Sequence, residues 1–168
     1  MKKLLSLCLL SVLSGCTTET ASEIKCPKIV IASDLNKAVM FDPEGGAPLL
    51  RTEMDSVRPK CDIMKKAIEI DMVLRMTSFR KAGSTKPLHG NVSYFVAVVD
   101  GQDRILKASD HQVRIDLDEK KSNKISLERI EEKIPLSGYE NLKVILGFHL
   151  SDDQVLFNRN ARNKKVGN

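Results

Sequence analysis

Tryptophan is absent from this chain of 168 residues, and aromatic residues make up only 4% of it. Few flat apolar platforms are therefore on offer, which disfavours a carbohydrate-binding face. The three histidines, His89, His111 and His149, are far apart in sequence and show no His-Glu-x-x-His spacing, so no metal site is legible. No serine stands in a Gly-x-Ser-x-Gly elbow. Gly45-Gly46 lacks the strand-to-helix setting of a phosphate cradle. No basic stripe with interleaved aromatics marks a nucleic-acid binder. The longest apolar run, Leu4 to Leu13, is broken by Ser6 and Ser11 and falls short of the ~20 residues of a spanning helix. The expectation is a non-enzyme with no catalytic residues, no cofactor and no nucleic-acid partner.

That run is informative for another reason. Lys2 and Lys3 precede it and small residues follow it, which is the order of an export signal. Leu13, Ser14, Gly15 and Cys16 resemble the lipobox of bacterial lipoproteins. The resemblance implies a signal peptide over residues 1–15 and lipidation of Cys16 as the first mature residue. Thr17 stands where an aspartate would hold such a protein at the inner membrane. The implied address is thus the inner leaflet of the outer membrane, facing the periplasm. Residues 16–25 read as a polar tether and residues 26–158 as one domain, long enough for a proper core.

Net charge is +5, and +3 once Lys2 and Lys3 leave with the leader. Much of the excess lies in Arg159, Arg162, Lys164 and Lys165, read as a basic, disordered tail over residues 159–168. Of four cysteines, Cys8 leaves with the leader and Cys16 takes lipid. Cys26 and Cys61 remain, a single pair in an oxidising compartment. A disulfide is favoured over a metal site, because zinc takes four ligands.

The body reads as strands. From Ala67 to Thr77, Ile68, Ile70, Met72, Leu74 and Met76 alternate with mostly polar residues. That period of two puts five apolar side chains on one face. Val92–Val99 is apolar on both faces and so central. Asp100-Gly101 signals a hairpin, with Arg104–Lys107 returning. Val113–Leu117 alternates, and Ile125–Ile134 is a further strand with enough Glu and Lys to be partly helical. Leu142–Leu150 is the last alternation, and Ile29–Ile31 the first strand, entered through Pro27 as suits an edge. Asp34–Phe41 reads as one or two helical turns. Lys81–Asn91 reads as an exposed loop carrying His89. Ser151 with Gln154 forms a capping box, predicting a short terminal helix that packs Val155, Leu156 and Phe157 on the body. About seven strands predict an all-β fold, an antiparallel β-sandwich of immunoglobulin or fibronectin type. Pro135–Tyr139 resembles the tyrosine corner of such domains.

Five stretches resemble a group of small, uncharacterised bacterial lipoproteins. They are Cys26-Pro27, Cys61 ahead of the long strand, Tyr94–Val98, Ile134-Pro135-Leu136, and Gly147–Leu150 closed by Asn158-Arg159. That family has no assigned activity, so the resemblance implies an address and an architecture only. The resulting expectation is a lipid-anchored binding or scaffold module with a protein partner in the envelope. The alternatives are an envelope hydrolase whose site assembles around His111 or His149, and a carrier of a hydrophobic ligand.

Overall fold

The alternation between Ala67 and Thr77 is where the core begins. In the computed structural model, which describes residues 26–42, 46–83, 87–135 and 141–166, Ile68, Ile70, Met72, Leu74 and Met76 are all buried. The described strands are β1 (Lys28–Ile31), β2 (Lys37–Phe41), β3 (Pro48–Ile63), β4 (Ala67–Arg80), β5 (Leu88–Val99), β6 (Ile105–Leu117), β7 (Asn123–Pro135) and β8 (Lys143–Phe148). The helix α1 (Asp152–Val166) follows them. The strands form two sheets, ordered β1-β8-β5-β6 and β2-β3-β4-β7. The buried face of β4 meets Tyr94, Val96 and Val98 of β5, Val113, Ile115 and Leu117 of β6, and Val144, Leu146 and Phe148 of β8 in one core. Each such side chain contributes roughly 1.5–3 kcal/mol on leaving water, so the sandwich is held mainly by this interleaving.

The topology explains the resemblance to immunoglobulin-like domains and its limit. β4 pairs with β7 in one sheet while β5 pairs with β8 in the other. The same interlock of two successive pairs joins the B–E and C–F strands of the immunoglobulin sandwich. The departure is β1, which adds to the edge of β8 in parallel, Lys28 opposite Lys143 and Ile31 opposite Leu146. All other pairings are antiparallel. β1 is an edge strand, as Pro27 suggests.

Several local expectations are corrected. Asp34–Phe41 is a turn followed by β2, because Ala38 and Val39 bury themselves in pairing with β3. β3 is a sixteen-residue strand despite Pro59. Its pairing with β2 ends at Glu53, so Pro59 lies where β3 is an edge and no neighbour needs its missing N–H. The returning strand expected over Arg104–Lys107 and the one over Val113–Leu117 are a single strand that begins at Ile105. Ile125–Ile134 is strand throughout, held to β4 by a continuous ladder. The loop after Lys81 is shorter than expected, since β5 starts at Leu88. Tyr139, the supposed corner, lies outside the described residues.

Ser151 does cap the helix. Its N–H donates to Gln154 Oε1 at 3.2 Å, and the Gln154 N–H donates to Ser151 Oγ at 3.4 Å. The helix then runs to Val166, so residues 159–166 are not the unstructured tail expected from their charge. Polar contacts dock it more than apolar ones. Gln154 Nε2 donates to the Val39 carbonyl at 2.6 Å, and Asn158 Nδ2 to those of Lys37 and Asp34 at 2.8 and 3.2 Å. Arg159 and Arg162 reach the Asp34 carboxylate at 3.5 and 2.5 Å. Phe157 meets Phe41 edge-on at 5.8 Å, while Leu156 stays exposed. Gly147 allows the turn before β2 to lie on β8. A Cβ there would sit 2.9 Å from Leu35 Cβ and 2.9 Å from Phe95 Cζ.

Candidate functional site

The two sheets end side by side in β6 and β7, and the facing residues of these edge strands are polar. Alternation puts Lys107, Ser109 and His111 of β6 on the core side, in line with Val113 and Ile115. On β7 the same rule puts Glu128 and Glu132 beside Ile130. Glu132 is only 4% exposed. Lys107 Nζ donates to its Oε2 at 2.6 Å and Ser109 Oγ to its Oε1 at 2.8 Å. His111 Nε2 lies 3.1 Å from Ser109 Oγ, and its ring stacks on Tyr94 with centroids 5.0 Å apart. Burial, and secondarily the Glu128 charge, push the Tyr94 phenol up to about 12.

A serine, a histidine and a carboxylate are thus neighbours, but their order is not that of a nucleophilic triad. In a triad the histidine takes the serine proton and the carboxylate steadies the histidine. Here the single hydroxyl proton goes to Glu132, so His111 meets Ser109 Oγ as an N–H donor. Ser109 is a bridge rather than an activated nucleophile. The cluster joins the free edge of one sheet to that of the other.

The other histidines lie on the outward face of the β5–β6 sheet. His89 Nδ1 is 2.8 Å from Asp116 Oδ1, and Arg114 Nε is 3.1 Å from the same oxygen. The His89 hydrogen bond first, and that of Arg114 second, hold the Asp116 carboxyl below the usual carboxylate range. His149 Nε2 is 2.8 Å from Asp110 Oδ1 and packs on Phe95 with centroids 5.4 Å apart. His89 belongs to β5 rather than a loop, His111 lies within β6, and His149 falls just past β8. Among the described residues no three His, Cys, Asp or Glu side chains gather where they could hold a metal ion.

Two further surfaces could receive something. A groove of about 240 Å³ lies between α1 and the β2–β4 sheet, with Val39, Leu49 and Phe79 on its walls and Arg51, Arg80 and Lys81 beside them. That volume is below the ~300–1,000 Å³ of small-molecule pockets. Between the sheets, Met72, Leu74, Met76, Leu146 and Phe148 occupy the space a carrier would need. The second surface is the outer side of β7. Ile125 and Leu127 stand 52% and 65% exposed there, opposite Thr77 and Arg75 of β4. No described strand lies beyond β7, so alternate N–H and C=O groups along that edge face outward.

Cys26 and Cys61 are bridged, with Cα atoms 6.2 Å apart across 35 residues of sequence. Cys16 lies outside the described residues. Among the described residues no helix is long and apolar enough to cross a membrane. Lys107 and Glu132 were not singled out from sequence. The spacing of Lys107, Ser109 and His111 puts them on one face, but nothing local names Glu132, 21 positions beyond His111, as their partner. Compared with protein-family models, curated proteins and solved structures, the chain matches none.

Proposed function

We propose that this is a lipid-anchored protein of the cell envelope that works by binding, and that the outer edge of β7 receives an extended segment of a protein partner. The observation that carries this reading is Ile125 and Leu127, two large apolar side chains left in water beside an unpaired strand edge. The two sit at alternate positions, the spacing with which an added strand would lay its own side chains over them. The anchor is argued from Leu13–Cys16 and assigns Cys16 as the acylated residue. Confinement to a surface raises effective concentration toward partners held there, so a short contact suffices.

A photoreactive side chain at Leu127 in the native envelope tests the reading. One discrete adduct that is absent when the probe stands at Gln112, and absent after Ile125→Lys, supports it. Adducts equal at both positions, or none at Leu127, overturn it. A hydrolase site around His111 or His149 would require an activated nucleophile there, and a carrier a larger cavity; no observation favours either.

A further inference from the structure

The tether and the far tip of the sandwich meet at one place. The disulfide ties Cys26, the first described residue, to Cys61, two residues before β3 ends. Beyond it the chain turns through Met64, Lys65 and Lys66 into β4, closed by Met64 N–H donating to the Ala67 carbonyl at 2.8 Å. Ile63 and Met64 are 47% and 48% exposed at this tip, and Lys65 and Lys66 are exposed beside them. Lys60 points outward next to Asp62.

We infer that the β3–β4 hairpin tip is a second membrane contact, seating on an anionic lipid surface with Ile63 and Met64 in the interface and Lys65 and Lys66 on the headgroups. The inference rests on the lipid anchor proposed above. Nine residues, 17–25, separate Cys16 from Cys26. Fully extended, ten chain steps reach ~35 Å at most. Cys61 and Met64 are three residues apart, about 10 Å along a strand. Whatever the tether's path, the domain end that it enters is this one. Two apolar side chains flanked by lysines match what an anionic interface binds: acyl-level burial for the first, surface potential for the second. The groove beside α1 lies near Leu49 and Arg80, the opposite end of the same hairpin.

The absence of tryptophan supplies a clean reporter. In the purified native chain, Met64→Trp places one indole at the tip, and Leu156→Trp places one on the exposed side of α1. Each is reconstituted into phosphatidylcholine vesicles with and without about a third of phosphatidylglycerol, a composition whose surface potential attracts lysines. The expected result is a blue-shifted Met64→Trp emission, quenched by brominated acyl chains, only with anionic lipid. It reverses at about 1 M salt, where the screening length is ~3 Å. Adding Lys65→Glu and Lys66→Glu lowers the fraction of tips seated in the interface, read from the Met64→Trp emission, about tenfold or more. Leu156→Trp stays unshifted. A Met64→Trp signal indifferent to anionic lipid, or matched by Leu156→Trp, overturns the inference. Mass spectrometry of the peptide containing Cys16 reads the anchor separately. Should Cys16 be unmodified, the same vesicles added to the unlipidated chain still report whether the tip binds.

Discussion

Lys107 Nζ lies 2.6 Å from Glu132 Oε2 and links the last strand of one sheet to the last strand of the other. Removing one member leaves the other without its countercharge. Lys107→Met should destabilise the domain by about 1–3 kcal/mol, below the ~3–5 of a fully buried pair because the lysine is half exposed. Lys107→Met with Glu132→Leu should recover most of that loss, since paired apolar replacements are often neutral or better. Urea midpoints of the wild type, the single and the double variant check both statements. A double variant weaker than the single would contradict them.

Reduction should act on the whole fold. The bridge closes 35 residues of chain between β1 and the end of β3. On the chain-entropy estimate it stabilises by roughly 3–4 kcal/mol. The urea midpoint should fall accordingly in reductant, and Cys26→Ser with Cys61→Ser should show the same drop with no further effect of reductant.

Acid should weaken the outward face of the β5–β6 sheet. The Asp116 carboxyl is held low by His89 and Arg114. A depressed carboxylate contributes stability above its unfolded value of ~3.9 and loses it as pH falls through the lower folded value. Asp100 adds to the same trend. Desolvation raises its carboxyl, but N–H groups of Arg104 and Gln102 and the Arg104 guanidinium outweigh that and leave it low. Stability should therefore decline from about pH 4 downward. Carbon-detected NMR should place the Asp116 midpoint below the ordinary value, and His89→Ala with Arg114→Ala should move it back up.

Crowding at Gly147 should be felt at once. A methyl group there meets Leu35 Cβ, which cannot swing away, as well as the Phe95 ring. Gly147→Ala should cost about 1–3 kcal/mol, the range for overpacking. Thermal unfolding checks it, and Gly83→Ala, where nothing lies within 4 Å but φ is +83°, should cost about 1–2 kcal/mol through backbone strain alone.

What was legible in the sequence followed from short-range periodicity. The inward residues of β4 and β8, the Ser151–Gln154 cap and the Cys26–Cys61 pair all announce themselves locally or by elimination. β2 was misread because Ala38–Phe41 is too short a run to separate strand from helix by period. β3 does not announce itself in the sequence, since its register shifts between Met54 and Ser56 and Pro59 interrupts it where it is an edge. The basic end of α1 looked like a solvated tail because Asp34, its counter-ion, lies 125 residues before Arg159 in the sequence.

The order of residues alone thus determined an all-β chain with one disulfide-compatible pair, because alternation and cysteine number can be read along the backbone without knowing the fold. Which strands pair, that β1 runs parallel beside β8, and that Glu132 collects Lys107 and Ser109 were decided only on folding. Those contacts join segments far apart in sequence, and their energies exist only once the two sheets have closed over a common core.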